Sequence, residues 1–199
     1  FEQFSQSPDM EATTIIPNSG EYLYGLHSVS SALVRARREL HGILSDKSAS
    51  ELSKMSTTHA QIVKIANQRN IPIINTSTGR LEQLSGGFGN RHSSAILVCS
   101  PFLPQSPDIL RDYDENICNT FPSEDLLIPP HRYTLASNSD QVHPPVWLAL
   151  DRIQDPHNMG AILRSAWFYG IDGVIIPLKD SCPINATCAN ISTGAVEQL

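Results

Sequence analysis

One stretch of this chain, Asp155-Pro156-His157-Asn158-Met159-Gly160-Ala161-Ile162-Leu163-Arg164-Ser165-Ala166, holds residue types whose spacing suggests chemistry. Asn158 is expected at a helix N-terminus, where its side chain either caps the helix or faces a ligand. Gly160 leaves room for another backbone to approach. Arg164 follows six positions later, about 120° around a helix of 3.6 residues per turn. It is the sole charge between Asn158 and Tyr169, on a helix apolar enough to be buried. A buried arginine must be ion-paired or hold an anion. Two readings stay open for each residue. Asn158 is a plain N-cap or a ligand-facing side chain. Arg164 is paired with Asp151 or Asp155, or it is an anion holder.

These residues need elements to position them. Val146 to Leu150 is a continuous apolar run, as in a parallel sheet covered on both faces. The polar turn Asp151 to His157 follows, then a helix from about Asn158 to Tyr169 with Gly170 as its C′ stop. Gly173-Val174-Ile175-Ile176-Pro177 is a second strand. Gly194 to Leu199 begins to look helical.

Upstream, strand and helix signals alternate over residues 20–100. Tyr22-Leu23-Tyr24 is a short apolar stretch, and Ser28 to Arg38 reads as a helix with Arg35, Arg37 and Arg38 near its end, where cations suit the helix dipole. Leu40–Leu44 is a strand. Ala49–Asn67 is one long helical pattern. Ile71–Ile74 is a strand begun by Pro72, Arg80–Leu84 a short helix closed by Gly86-Gly87, and Ser94–Cys99 a buried strand. Residues 1–19 lack periodicity and are expected to be a mobile arm. Residues 101–145 hold eight of the 14 prolines and are expected to be an acidic linker with an insertion.

Composition narrows the classes of function. The chain has 199 residues, 40% of them hydrophobic and 17% charged, which is globular composition. Its four cysteines form no CxxC pair, and its seven histidines show no metal spacing. No apolar run reaches the roughly 18–20 residues needed to span a bilayer. The net charge of −6 argues against a polyanion partner, but its distribution argues for one. Residues 20–99 carry nine bases and five acids, net +4, whereas residues 100–145 carry two bases and seven acids, net −5. The first segment is either a solvated helix surface or a surface for RNA. Trp167, Phe168 and Tyr169 are expected in a core or dimer interface rather than as a base-stacking platform. Cys182 and Cys188 are expected as buried thiols.

The run from Asp155 to Ala166 resembles the first signature motif of the SpoU/TrmH-type RNA ribose 2′-O-methyltransferases, of the knotted SPOUT superfamily. Gly20-Glu21-Tyr22-Leu23-Tyr24-Gly25-Leu26-His27 is similar to the opening of that family's N-terminal substrate-binding domain, itself like the ribosomal L7Ae/L30-type RNA-binding proteins. Leu84-Ser85-Gly86-Gly87 and Ala95–Cys99 match its end. Asp180-Ser181-Cys182-Pro183 followed by Ser192-Thr193-Gly194-Ala195-Val196-Glu197 resembles the mitochondrial large-subunit rRNA branch.

The resemblance implies an α/β chain in four parts. Residues 1–19 are an arm, 20–100 an L7Ae/L30-like RNA substrate-binding domain, 101–145 a linker, and 146–199 the first part of a knotted parallel-sheet methyltransferase domain. It implies S-adenosylmethionine as methyl donor to a ribose 2′-hydroxyl, in this branch of a guanosine in large-subunit rRNA, in mitochondria. It also implies a homodimer when full length, and neither a metal nor a membrane. Asn158 and Arg164 fall on the family's catalytic positions, with Arg164 orienting the 2′-hydroxyl and holding the adjacent phosphate. Arg35, Arg37, Arg38 and Glu197 become candidate RNA contacts, Glu197 ordering Arg164 or the RNA. His92-Ser93-Ser94 stands where the family usually has His-Gln-Gly. The family's second and third motifs, which build the cofactor pocket, are expected beyond Leu199, so the cofactor-binding residues stay unassigned. On that expectation the 199-residue chain by itself neither binds the cofactor nor methylates RNA, and its C-terminal third is loosely packed or aggregation-prone, while residues 20–100 fold independently. The alternative is a catalytically inactive, truncated RNA-binding module. An oxidoreductase lacks support, because no GxGxxG follows a strand.

Overall fold

The computed structural model describes residues 20–87, 93–103, 146–177 and 179–199. The expected arm, His92 and residues 104–145 of the expected linker lie outside the described residues. The first part of the chain forms β1 (Glu21–Tyr24), α1 (Leu26–Arg35), β2 (Leu40–Ser45), α2 (Ala49–Met55), α3 (Thr57–Gln68), β3 (Ile73–Asn75), α4 (Thr78–Leu84) and β4 (Ala95–Cys99). The second part forms β5 (Trp147–Ala149), α5 (Pro156–Phe168), β6 (Gly173–Ile175), α6 (Ala186–Ile191) and a 3-10 turn over Ala195–Glu197.

The first sheet has the order β1-β4-β2-β3. β4 is antiparallel to both β1 and β2, and β2 is parallel to β3. All five residues of β4 are buried. The sequence already hints at this, because Ala95-Ile96-Leu97-Val98-Cys99 has no polar face to offer solvent. Helices α1 and α3 cover one face of the sheet through Val29, Leu33, Ile62 and Ala66 packed on Leu23, Ile43 and Leu97. Helix α4 covers the other, with Leu81 packed among Tyr24, Leu44, Ile96 and Val98.

Several elements differ from expectation, among them the unforeseen helix α6 and β3, which begins after Pro72. The long helix over Ala49–Asn67 is two helices, divided at Ser56, whose extended backbone ends α2 and caps α3 by accepting from the His59 N–H. A Ser-Thr-Thr run offers such side-chain partners and competes with the helix interior. Helix α1 ends at Arg35 because Ala36 adopts a left-handed conformation (φ 49°). Arg37 and Arg38 therefore leave the helix axis instead of decorating its last turn. Finally, β5 is not covered on both faces. Among the described residues it pairs with β6 alone, in parallel, and Trp147 is 45% exposed.

The two parts are joined. Ala189 of α6 is fully buried within the same cluster as Leu23, Val29 and Leu33 of the first part. The Ser28 hydroxyl donates to the Ala189 carbonyl at 2.8 Å, and Tyr24 Oη shares a hydrogen bond with Thr187 Oγ1 at 3.2 Å. Gly25 (φ 89°) and Gly194 (φ 84°) sit at this contact. A Cβ at Gly25 would collide with Asn190, and one at Gly194 with Ser31. The C-terminal part has its own apolar cluster of Met159, Leu163, Cys182, Cys188 and Val196. No helix among the described residues is long and apolar enough to cross a membrane.

Candidate functional site

Helix α5 is started by Asp155, not by Asn158. The Asp155 carboxylate accepts from the backbone N–H groups of His157 and Asn158, both at 3.2 Å, and Pro156 occupies the first turn, where its missing N–H costs nothing. The plain-cap reading of Asn158 is thus overturned. Its backbone is capped by Asp155, and its exposed side chain is left to face solvent or a ligand. The cap displaces the helix start by two residues, which a sequence offering both Asp155 and Asn158 leaves open.

The burial expected for Arg164 does not occur. Met159, Gly160, Leu163 and Ala166 face the core, whereas Asn158, Arg164 and Ser165 lie on the exposed side. Arg164 has no ion pair with Asp151 or Asp155, and Asp151 instead lies 3.9 Å from Arg152. Beside this face β5 and α5 form an open apolar groove of about 520 Å³, lined by Leu148, Ala161, Ile162, Ser165, Tyr169 and Ile171. Phe168 and Tyr169 at the end of α5 are 79% and 76% exposed and meet edge to face at 5.3 Å. Of the core or dimer-interface placement expected of these two rings, the core half is not what the structure shows.

Gly160 behaves as its residue type suggests. A Cβ there would lie 2.7 Å from Ile191 Cβ and 2.8 Å from the Cys188 carbonyl, so α5 and α6 touch through a position that only glycine fits.

The four candidate RNA contacts sit elsewhere. The Arg38 side chain is 0% exposed, paired through Nε with Glu197 Oε1 at 2.7 Å and through Nη1 with Glu21 Oε2 at 2.5 Å. Glu197 is likewise 0% exposed, so neither residue can touch RNA in this arrangement, and Glu197 orders Arg38 rather than Arg164. Arg35 donates to Gln198 Oε1 at 2.7 Å, and Arg37 donates to the Leu199 carbonyl at 2.5 Å. The Phe102 ring lies under both Arg37 and Arg38, at 5.0 and 5.2 Å. Among the described residues, the first part's exposed cations are Lys54, Lys64, Arg69 and Arg80. Sequence reasoning missed Glu21, Ser28 and Phe102, because no local pattern tells a partner of a distant charge from a surface residue.

The electrostatics follow from burial. Desolvation lowers the Arg38 guanidinium, but Glu197 and Glu21 beside it hold it above its ordinary pKa. Burial raises the Glu197 carboxyl above the usual carboxylate range, with Arg38 opposing. Arg37 is lowered by burial, partly offset by Glu197. Arg38 Nη2 and Glu197 Oε2 are buried without a hydrogen-bond partner among the described residues. Burial pushes the Cys99 thiol up to about 12 and Cys188 up to about 11. Such buried thiols are poor nucleophiles and poor metal ligands at neutral pH.

The sequence model of the SpoU rRNA Methylase family matches residues 145–199. Residues 145–199 belong to the SpoU rRNA methylase family. The SpoU segment therefore comprises β5, α5, β6, α6 and the final turn. The chain is 30% identical over 186 residues to the human protein "rRNA methyltransferase 1, mitochondrial", covering 93% of this chain and 44% of that one. Its *Saccharomyces cerevisiae* namesake is 29% identical over 185 residues, covering 90% and 42%. The chain thus spans less than half the length of these two relatives. An AdoMet-bound rRNA methyltransferase from *Sinorhizobium meliloti* superposes with a TM-score of 0.56 at 16% identity, covering 96% of this chain and 55% of that one. The SpoU methyltransferase AviRb from *Streptomyces viridochromogenes*, in complex with AdoMet, superposes with a TM-score of 0.55 at 16% identity, covering 98% and 61%. These matches give the mixed α/β fold of SpoU methyltransferases.

The groove beside α5 does not fit an adenosyl cofactor. Such a ligand needs several donors and acceptors, whereas this lining is mostly aliphatic and its polar side-chain groups are the Tyr169 phenol and the Ser165 hydroxyl, which already donates to the Ala161 carbonyl at 3.0 Å.

Proposed function

We propose that this chain is part of an S-adenosylmethionine-dependent RNA ribose 2′-O-methyltransferase acting on a guanosine of mitochondrial large-subunit rRNA. The observation that carries this reading is the coincidence of the SpoU family match with the helix whose exposed side presents Asn158 and Arg164. S-adenosylmethionine supplies the methyl group in this reading. Residues 20–100 serve as the RNA-binding domain, with Lys54, Lys64, Arg69 and Arg80 as its available cations. Full-length chains form a homodimer.

The chemistry left to this chain is positioning. A ribose 2′-hydroxyl is a weak nucleophile, so orientation and fixed charge must lower much of the barrier. Arginine stays protonated at any working pH, which makes Arg164 an orienting and phosphate-holding group rather than a base. Asn158, with its backbone satisfied by Asp155, has its amide free to orient the ribose or phosphate. Both side chains are exposed, as a polyanionic substrate requires.

The test is methyl transfer from labelled S-adenosylmethionine by the full-length protein to a large-subunit rRNA fragment. The label should appear in alkali-resistant 2′-O-methylguanosine. Label on a base, or on no nucleotide, overturns the reading. A second reading, RNA binding without methyl transfer, rests on the excess of nine bases over five acids in residues 20–99. It predicts salt-dependent RNA binding with no label incorporated.

A further inference from the structure

We propose that Arg38, in the first part of the chain, is a positioning residue that fixes helix α5 and thereby Asn158 and Arg164. The proposal rests on the reading of Asn158 and Arg164 as the RNA-facing pair, and it assigns Arg38 a role different from RNA contact.

Two routes lead from Arg38 to α5. In the first, Arg38 Nε donates to Glu197 Oε1 at 2.7 Å within a fully buried pair. Glu197 ends the 3-10 turn, whose Val196 packs in one cluster with Met159 and Leu163 of α5. Those two residues are the immediate chain neighbours of Asn158 and Arg164. In the second, Phe102 lies under the Arg38 guanidinium and packs against that same cluster. A third tie, independent of Arg38, holds α6. The Ser28 hydroxyl donates to Ala189 O, and Ile191 of α6 touches α5 at Gly160.

The chemistry of the contact suits positioning better than plain packing. A lone buried guanidinium demands a counter-charge, so Arg38 dictates where Glu197 must sit, whereas an apolar contact would tolerate sliding. Glu21 on β1 supplies the second carboxylate, which anchors the guanidinium to the sheet of the first part. The pair therefore sets one register between the β1–β4 sheet and the segment carrying the SpoU motif.

The experiment compares Arg38→Met, Arg38→Lys and Glu21→Gln with the parent. Hydrogen exchange is followed on the 199-residue chain, and methyl-transfer kinetics on the full-length protein. In Arg38→Met, amides of α5, α6 and residues 195–197 should exchange at least ~10-fold faster while β4 stays protected, since regions open separately. The kcat of methyl transfer should fall by up to about 10²-fold, as expected of a small misplacement of reacting groups. KM for RNA should rise by far less than kcat falls, because Lys54, Lys64, Arg69 and Arg80 keep their places on the first part. Arg38→Lys should recover part of kcat, and Glu21→Gln, which keeps the Glu197 pair, should lose less than Arg38→Met. A KM raised as much as kcat falls, with a shallower salt dependence, would show that Arg38 contacts RNA and overturn the proposal. Unchanged exchange over α5 would also overturn it. If the parent itself transfers no methyl group, the proposed function fails, and the exchange of α5 still decides whether Arg38 holds that helix.

Discussion

Arg38 and Arg164 occupy opposite surroundings. Arg38 follows helix α1 in a segment rich in bases and looks like a surface cation. Arg164 sits alone on an apolar helix and looks buried. The structure reverses both. Arg38 is enclosed between Glu21, Glu197 and Phe102, and Arg164 stands exposed on α5. The lesson concerns what decides burial. A helix face is buried only where another element covers it. The covering element at Arg38 is the final turn of the chain, 159 residues away in sequence. At Arg164 the side of α5 that carries Asn158, Arg164 and Ser165 is left exposed among the described residues.

The contrast can be broken most sharply by removing each charge in turn. Arg38→Met leaves the Glu197 carboxylate buried without its counter-charge, and urea unfolding should show a loss of about 3–5 kcal/mol. Arg164→Met should change stability by less than about 0.5 kcal/mol, as for an exposed position. Equal losses would mean that the two sites do not differ in burial. The comparison inverts for activity. Arg164→Ala in the full-length protein should cut methyl transfer by at least ~100-fold, the loss expected of a removed electrostatic group, with the fold intact by circular dichroism. Activity within threefold of the parent would remove Arg164 from the catalytic reading.

Smaller effects sharpen the picture around α5. Gly160→Ala drives a methyl group into Ile191 and the Cys188 carbonyl, and overpacking of this kind should cost about 1–3 kcal/mol in thermal or urea unfolding. Asp155→Ala removes the true cap and should cost about 1 kcal/mol, whereas Asn158→Ala should leave stability nearly unchanged. The reverse result would restore Asn158 as the cap. The smallest expected signal is thiol labelling. Burial pushes Cys99 up to about 12, so the folded parent should resist alkylation there at pH 8. Arg38→Met should expose Cys99 to labelling, because the guanidinium and the thiol share one enclosed site. Fast labelling of the parent would show that this site is wet.

The sequence alone determined most of the elements, though not helix α6, and the motif. Apolar runs such as Ala95–Cys99 specify buried strands, and glycine at position 170 specifies the end of α5, because these signals are local and act through backbone sterics. The Asp155–Ala166 motif pointed to the family that residues 145–199 belong to. Gly160 announced a close approach without naming Ile191 as the neighbour. The tertiary structure decided everything that depends on a distant partner. It divided the Ala49–Asn67 helix at Ser56, turned Arg38 inward toward Glu197, seated Ala189 in the core of the first part, and left Arg164, Phe168 and Tyr169 exposed. The reason is physical. Periodicity reports which face of an element is apolar, whereas desolvation of a charge depends on which element, from anywhere in the chain, comes to lie against it.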